Sequence, residues 1–408
     1  MKTTSLAFAV LLLSACHQAK TAAPDDLGVG DASVSVDAAS DLSPGADLAV
    51  CTRTATSTEA TRALVVSHPF AADGSAATDY EVLALATNGA ITRPGTHFSM
   101  GTNSNGDIVF TPDGKFGYAS QDNGNIGIFA VSGDLVVKVI APMFEAGAYA
   151  SRLVMSQAGD QLYILDPDTT ANHGGVYTAP IYCDGSLGQA TLVTAADVPS
   201  GLEPLAGGDY ALAARGLDGA AATDNVHRIT LAPYARIASV AAFPDQKSQI
   251  TGQAVTHDGK FVLFGDSSEF SGEDNRVAVV AVTATGLTAT QLLTPIVDPY
   301  AILTSPYDNA AIVMSGYGNA IYRLTYDPTN ATKPFVNQGE LTYMGAKPML
   351  PGISVLVSRG VLKGHAFIAE VGGVRHLQFT LLGAVTDLGL FDLGGDVANG
   401  LGVVGVQP

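Results

Sequence analysis

The sequence predicts an all-β protein: a seven-bladed β-propeller of four-stranded blades, its ring closed where the C-terminal strand joins three N-terminal strands. Three observations carry this. Apolar residues come in short runs rich in Val, Ile, Ala and Leu, punctuated by Asp-Gly, Asn-Gly and Ser-Gly, with no sustained helical periodicity. A weak hairpin repeat recurs at roughly the spacing of a four-stranded blade. The two ends of the domain carry complementary partial repeats, which a large β-sandwich or β-solenoid would not predict.

Taken in order, the chain opens on Lys2 and the apolar residues 6–13, a run too short to cross a bilayer as a permanent helix. Leu13-Ser14-Ala15-Cys16 follows, so residues 1–15 read as a signal peptide. These four residues resemble a bacterial lipoprotein box, and that resemblance implies lipidation of Cys16. Residues 16–50 then form a tether without aromatic residues, in which Asp25, Asp26, Asp31, Asp37, Asp41 and Asp47 repel one another. Such a segment cannot bury enough apolar surface to offset its ordering entropy. His17 rather than Asp after the cysteine resembles the outer-membrane sorting pattern. A bacterial cell-envelope location is therefore expected, periplasmic or surface-facing, with the lipid as the membrane attachment. In that oxidising setting Cys51 and Cys183 either pair or stay separate thiols.

The propeller domain is expected over residues 51–408. Residues 63–66, 80–86 and 90–97 read as three strands lacking an innermost partner. Two clear hairpins follow, Asp107-Ile-Val-Phe-Thr-Pro-Asp-Gly-Lys-Phe-Gly-Tyr and Gln253-Ala-Val-Thr-His-Asp-Gly-Lys-Phe-Val-Leu-Phe. Each is a strand, a tight turn and a second strand. In the first copy, residues 126–131 and 135–140 supply strands three and four. Looser copies start at Leu153 and Ala301, with fainter ones over 205–214 and 353–368, so repeats begin near residues 105, 150, 206, 250, 299 and 350. Residues 400–406 read as a first strand without its followers, and joining the two ends removes exposed sheet edges.

Charge narrows the function. With 20 basic and 38 acidic residues the net charge is −18, which excludes a phosphate-binding basic face and hence nucleic acid. The loops between strands two and three are polar, at residues 73–79, 121–125, 166–168 with His173, 218–227 and 266–274. Asp166, Asp168, Asp224, Asp266, Glu269, Glu273 and Asp274 are the candidates for a divalent-cation site, most plausibly Ca2+, which takes oxygen ligands. Solvated, turn-rich loops explain the same residues without a metal, and no cofactor is required. The histidines lack H-x-H or H-E-x-x-H spacing and read as surface or turn residues. No G-x-S-x-G or C-x-x-C is present.

The segment Thr-Pro-Asp-Gly-Lys-Phe-Gly-Tyr (residues 111–118) resembles the blade hairpins of lactonase-type propellers, which include phosphogluconolactonase-like proteins and non-enzymatic surface-layer relatives. The likeness covers residues 60–408 in architecture and two short hairpins in motif; with no Trp, the chain does not match the WD-repeat type. It implies a histidine, an arginine and an acid at the channel mouth. The segments entering the inner strands offer Glu145, Arg152, Glu203, Asp209, Asp298 and Asp396 but no histidine. Arg152 with Glu145 is the suggestive pair, either a carboxylate binder or a structural ion pair, with Glu203 as their third candidate partner. Because the pattern departs from the family's, the expected function is a non-catalytic binding or scaffold module, a monomer whose partner is an envelope protein or a glycan. A lactonase-like hydrolase at the channel mouth is the alternative.

Overall fold

In the computed structural model, residues 49–408 are described except for 56–60, 71–74, 169–173, 220–224, 245–247, 268–274 and 395–401. They form seven four-stranded antiparallel sheets arranged as the blades of a propeller. The first blade is built from both ends of the chain: Val404–Val406 lies innermost, followed by Thr61–Phe70, Ala76–Ala86 and Ile91–Ser99. The innermost strands of blades two to seven are Ser104–Phe110, Arg152–Met155, Asp197–Pro204, Ile250–Val255, Pro299–Thr304 and Ser354–Leu356. Cys16 and most of the expected tether lie outside the described residues.

Burial explains the composition. Each blade packs on two neighbours, so both faces of its middle strands are covered. Phe261–Asp266, Ala310–Ser315 and His365–Glu370 are buried at every position, whereas the outer strand Phe335–Glu340 alternates after its first residue. The core is accordingly divided into seven apolar clusters, each at one junction between adjacent blades. Leu64, Leu83, Phe367 and Val374 join the last blade to the first.

The repeat is a turn with fixed chemistry. Thr111 and Thr256 each donate Oγ1–H to the aspartate two residues on, Asp113 and Asp258, at 2.7 Å. The next residue, Gly114 or Gly259, has φ +71° and closes the turn on the threonine carbonyl. That left-handed conformation favours glycine. The looser copies use the same turn with Ser156 and Ser305 at the first position and Gly159 and Asp308 at the fourth.

Three expectations are corrected. The fourth blade begins at Asp197 rather than near residue 206, because the strand read there is the second strand, Tyr210–Arg215. The fourth strand of blade two is Val137–Phe144, with Leu135 in the turn at φ 64°. Four histidines read as surface or turn residues are instead buried within strands: His68, His227, His365 and His376. His365 Nδ1 and His376 Nε2 are hydrogen-bonded at 2.7 Å. Burial, reinforced by His365, pushes His376 down to about 4, so the pair stays uncharged at neutral pH.

The N-terminal segment is pinned to the face that carries the turns between strands one and two and between strands three and four. Cys51 and Cys183 form a disulfide with a Cα separation of 5.0 Å. Arg53 donates to the Gly159 and Tyr182 carbonyls at 2.7 and 2.6 Å and lies over the Phe116 ring.

Candidate functional site

The inner strands enclose a central channel containing a cavity of about 190 Å3. Asp107, Arg152, Glu203, Thr251, Gln253 and Tyr300 are among its polar lining residues. Arg152, the first residue of its strand, reaches sideways to Asp107 of the preceding blade, Nη1 to Oδ1 at 3.2 Å, and to the Thr251 carbonyl at 3.5 Å. The other oxygen of Asp107 accepts the Leu153 N–H at 2.9 Å. Asp107 therefore serves both as counter-charge to Arg152 and as a hydrogen-bonded tie between two blades. Two of the five guanidinium N–H donors make these bonds to described residues.

Glu203 stands differently. Among the described residues no donor bonds its carboxylate. Enclosure by the channel wall, then the charge of Asp107, push its pKa up, and Arg152 only partly offsets them, leaving it at about 8. Gln253 adds a second uncommitted polar group: its Nε2 donates to the Ala211 carbonyl at 2.8 Å, while Oε1 is buried without a hydrogen-bond partner. Gly201 permits this approach, since a Cβ there would lie 2.6 Å from Gln253 Oε1.

The structure thus unites two of the three channel candidates. Glu145 does not join them; it is exposed in the loop before Arg152, its carbonyl accepting a bond from Gln189. Asp107 takes the place expected of it. Its position was readable: Asp107 and Arg152 both lie four residues before the first turn residue, Thr111 and Ser156. Gln253 and Tyr300 give no such signal, because only ring closure brings their strands opposite Arg152. Asp209 is bound to Arg228 at 2.6 Å, and Asp298 is fully buried, accepting the Tyr317 N–H at 2.7 Å. Asp396 lies outside the described residues.

Of the described metal candidates, Asp166 and Asp168 are neighbours and Asp266 lies in another blade, and their roles explain the placement. In blades two, three and five the last residue of the second strand bonds the loop that connects one blade to the next. Gln121 donates to the Met100 and Pro142 carbonyls at 3.0 and 2.9 Å. At the same place Asp166 accepts the Tyr149 N–H at 2.9 Å, and Asp266 accepts the Gln249 N–H at 2.8 Å while pairing with Arg276 at 2.9 Å. Asp168 caps onto Asp166 through its own N–H. The carboxylates of Asp166 and Asp266 are loop anchors in different blades. Among the described residues no group of three or more His, Cys, Asp or Glu is placed to hold a metal ion. Asp224, Glu269, Glu273 and Asp274 lie outside those residues.

One buried cluster went unread in the sequence. His68 and Arg93 both contact the fully buried Glu81, His68 Nε2 at 3.2 Å, and His97 bonds Asp79 at 2.7 Å. Burial alone would raise the Glu81 pKa, but the His68 and Arg93 contacts outweigh it and hold the carboxyl below its usual range. The cluster ties the three N-terminal strands of the closing blade together.

With this geometry in view, the solved structures give a consistent answer. A candidate 6-phosphogluconolactonase from Bacteroides fragilis superposes with a TM-score of 0.60 at 14% identity, over 86% of this chain and 99% of that one. The periplasmic gluconolactonase of Pseudomonas aeruginosa gives 0.61 at 14% identity, over 85% and 99%. It is a fold shared with gluconolactonase-type propellers. Identity this low establishes architecture alone, and the Sqt1 protein of Chaetomium thermophilum also superposes, with a TM-score of 0.52 at 14% identity over 87% of this chain and 85% of its own. No family model matches the sequence, and no curated protein does either.

Proposed function

We propose that the protein is an envelope-anchored hydrolase of small lactones, with its chemistry in the central channel. Glu203 is the observation that carries this reading. It is an enclosed carboxyl, bonded by no described donor, poised near 8 beside a guanidinium. A carboxylate with a pKa close to the working pH suits general-base catalysis. Water adds to the lactone carbonyl carbon as Glu203 takes its proton, and Arg152 stabilises the oxyanion. Collapse expels the ring oxygen, to which Glu203 returns the proton, giving the hydroxy acid. The fold shared with gluconolactonase-type structures supports the same reading. The deciding assay is hydrolysis of D-glucono-1,5-lactone and other aldonolactones by the purified protein. Acceleration over the spontaneous rate is expected; a panel without any acceleration would sink the assignment.

Anchoring through Cys16 belongs to this proposal. Residues 51 and 53 are fixed to the face of the strand one-to-two turns, so a chain arriving from a lipidated Cys16 would enter there. The loops of the opposite face would then point away from the membrane.

A protein-docking role is the second reading, favoured by Val361, Leu381 and Leu382. These lie in two loops of blade seven on one face and are 70%, 77% and 95% exposed. Crosslinking on intact cells should capture an envelope partner with the natural protein and lose it with Leu382→Glu. Identical captures from both would count against this surface.

A further inference from the structure

A second cavity, of about 290 Å3, opens beside the channel between blades four and five. Val198, Ser200, Arg215, Asn225, Ser248 and Gln249 line it. Ser200 lines both cavities, so the two adjoin.

Arg215 is the last residue of the second strand of its blade, the place where Gln121, Asp166 and Asp266 are held by the connecting loops. In blade four that place is taken by an exposed guanidinium whose bond is to the Ser248 carbonyl at 2.5 Å. Among the described residues no carboxylate forms an ion pair with Arg215, and that includes Asp197, its cross-strand neighbour. In this chain of 38 acidic and 20 basic residues, Arg152, Arg228, Arg276 and Arg375 by contrast each have an acidic partner. The surrounding polar groups are held in place. Asn225 donates to Ser248 Oγ at 2.8 Å and accepts the Ala242 N–H at 2.9 Å.

We propose that Arg215 and its pocket bind the carboxylate of a small sugar-acid ligand whose ring lies in the channel beside Glu203. Arg215 and Ala211, the residue paired with Glu203, are four positions apart on one strand. That is about 13 Å of strand. One guanidinium with no ion-paired carboxylate among the described residues matches a monoanionic carboxylate, which it can grip through two N–H donors. A phosphate dianion would demand more positive charge than this acidic protein places there. In the channel, Arg152 already has Asp107 as its counter-charge.

The inference rests on the channel being the ligand site proposed above, and direct binding tests it apart from turnover. The probes are D-saccharic acid 1,4-lactone and D-glucono-1,4-lactone, which differ by a carboxylate in place of a hydroxymethyl group. Calorimetry should show the carboxylate probe binding at least about tenfold more tightly, the size expected of a charge-assisted hydrogen bond. Arg215→Gln should abolish that preference, and Arg215→Lys should restore part of it. Because Arg215 is exposed, the melting temperature checks that the variants fold. Equal affinity for the two probes, a preference that survives Arg215→Gln, or inorganic phosphate displacing the carboxylate probe with higher affinity would each overturn the assignment. If no lactone is hydrolysed but the Arg215-dependent preference persists, the subsite stands and only the catalytic reading falls.

Discussion

Deleting residues 403–408 should leave a protein that no longer holds a closed ring. Val404–Val406 is the innermost strand of the first blade, paired with Leu64, Val65 and Val66. Ser67 and Val403 exchange two hydrogen bonds of 2.9 Å. Gln407 completes the lock: its backbone N–H donates to the Ala63 carbonyl at 2.8 Å, its side-chain oxygen accepts the Ala63 N–H at 3.0 Å, and its amide donates to Gly114 of the next blade at 2.8 Å. Val403 and Val404 are almost completely buried. Losing buried valines at about 1.5–3 kcal/mol each, together with several hydrogen bonds at about 1 kcal/mol each, approaches the whole stability of an ordinary domain, about 5–15 kcal/mol. The strand Thr61–Phe70 would also become an open apolar edge that invites aggregation. Thermal unfolding of the truncated and full chains is the measurement. A truncated protein melting within a few degrees of the full chain would show that the blade closes without its last strand. Gln407→Ala gives the graded version, with a loss of about 1–3 kcal/mol as two buried backbone groups lose their partner.

Glu203→Gln should lower lactone hydrolysis by about 10²–10⁴-fold, the range typical of removing a general base. The pH profile identifies the role. As a base, Glu203 must be ionised, so kcat/KM of the natural protein should rise with pH and level off above an inflection near 8, after subtraction of the spontaneous reaction. The variant should lack that inflection. Stability supplies an independent readout. An unfolded chain ionises this glutamate near 4.5, whereas the folded protein retains the proton up to about 8. The native state therefore holds the extra proton between those values, so this group's effect is to lower stability as pH rises across that window. Glu203→Gln should flatten that dependence. A variant with full activity and an unaltered pH profile would remove Glu203 from the mechanism.

Much of this architecture is legible in the sequence for a simple reason. Tight turns impose local chemistry, and a repeated turn prints it repeatedly. The Thr-x-Asp-Gly element needs a hydroxyl, a carboxylate and a left-handed residue in succession, so two clear copies suffice to set the blade period. The fourth blade is misplaced because its turn replaces that chemistry with Leu205-Ala-Gly-Gly, in which Gly207 and Gly208 both have φ +90°. In the channel, Arg152 and Glu203 stand out as charges at inner strands, but pairing Arg152 with nearby Glu145 follows sequence distance, and a ring does not. Its true partner, Asp107, is 45 residues earlier, one blade away.

By itself, the sequence determined the class of fold, the period of the blades and the closure of the first blade from both ends, because strand alternation and turn chemistry are local properties. Only the tertiary structure decided which charges serve which purpose. Asp166 and Asp266, which read as metal ligands, anchor loops. Arg375, an ordinary strand residue in the sequence, is completely buried between Glu370 and Asp387 at 2.8 and 2.6 Å. Arg215, which carries no motif, has no acidic partner among the described residues and lines a pocket beside the channel. A charged side chain takes its role from the groups that surround it after folding, and in a propeller those groups come from neighbouring blades, roughly fifty residues away or, across the closure, from the opposite end of the chain.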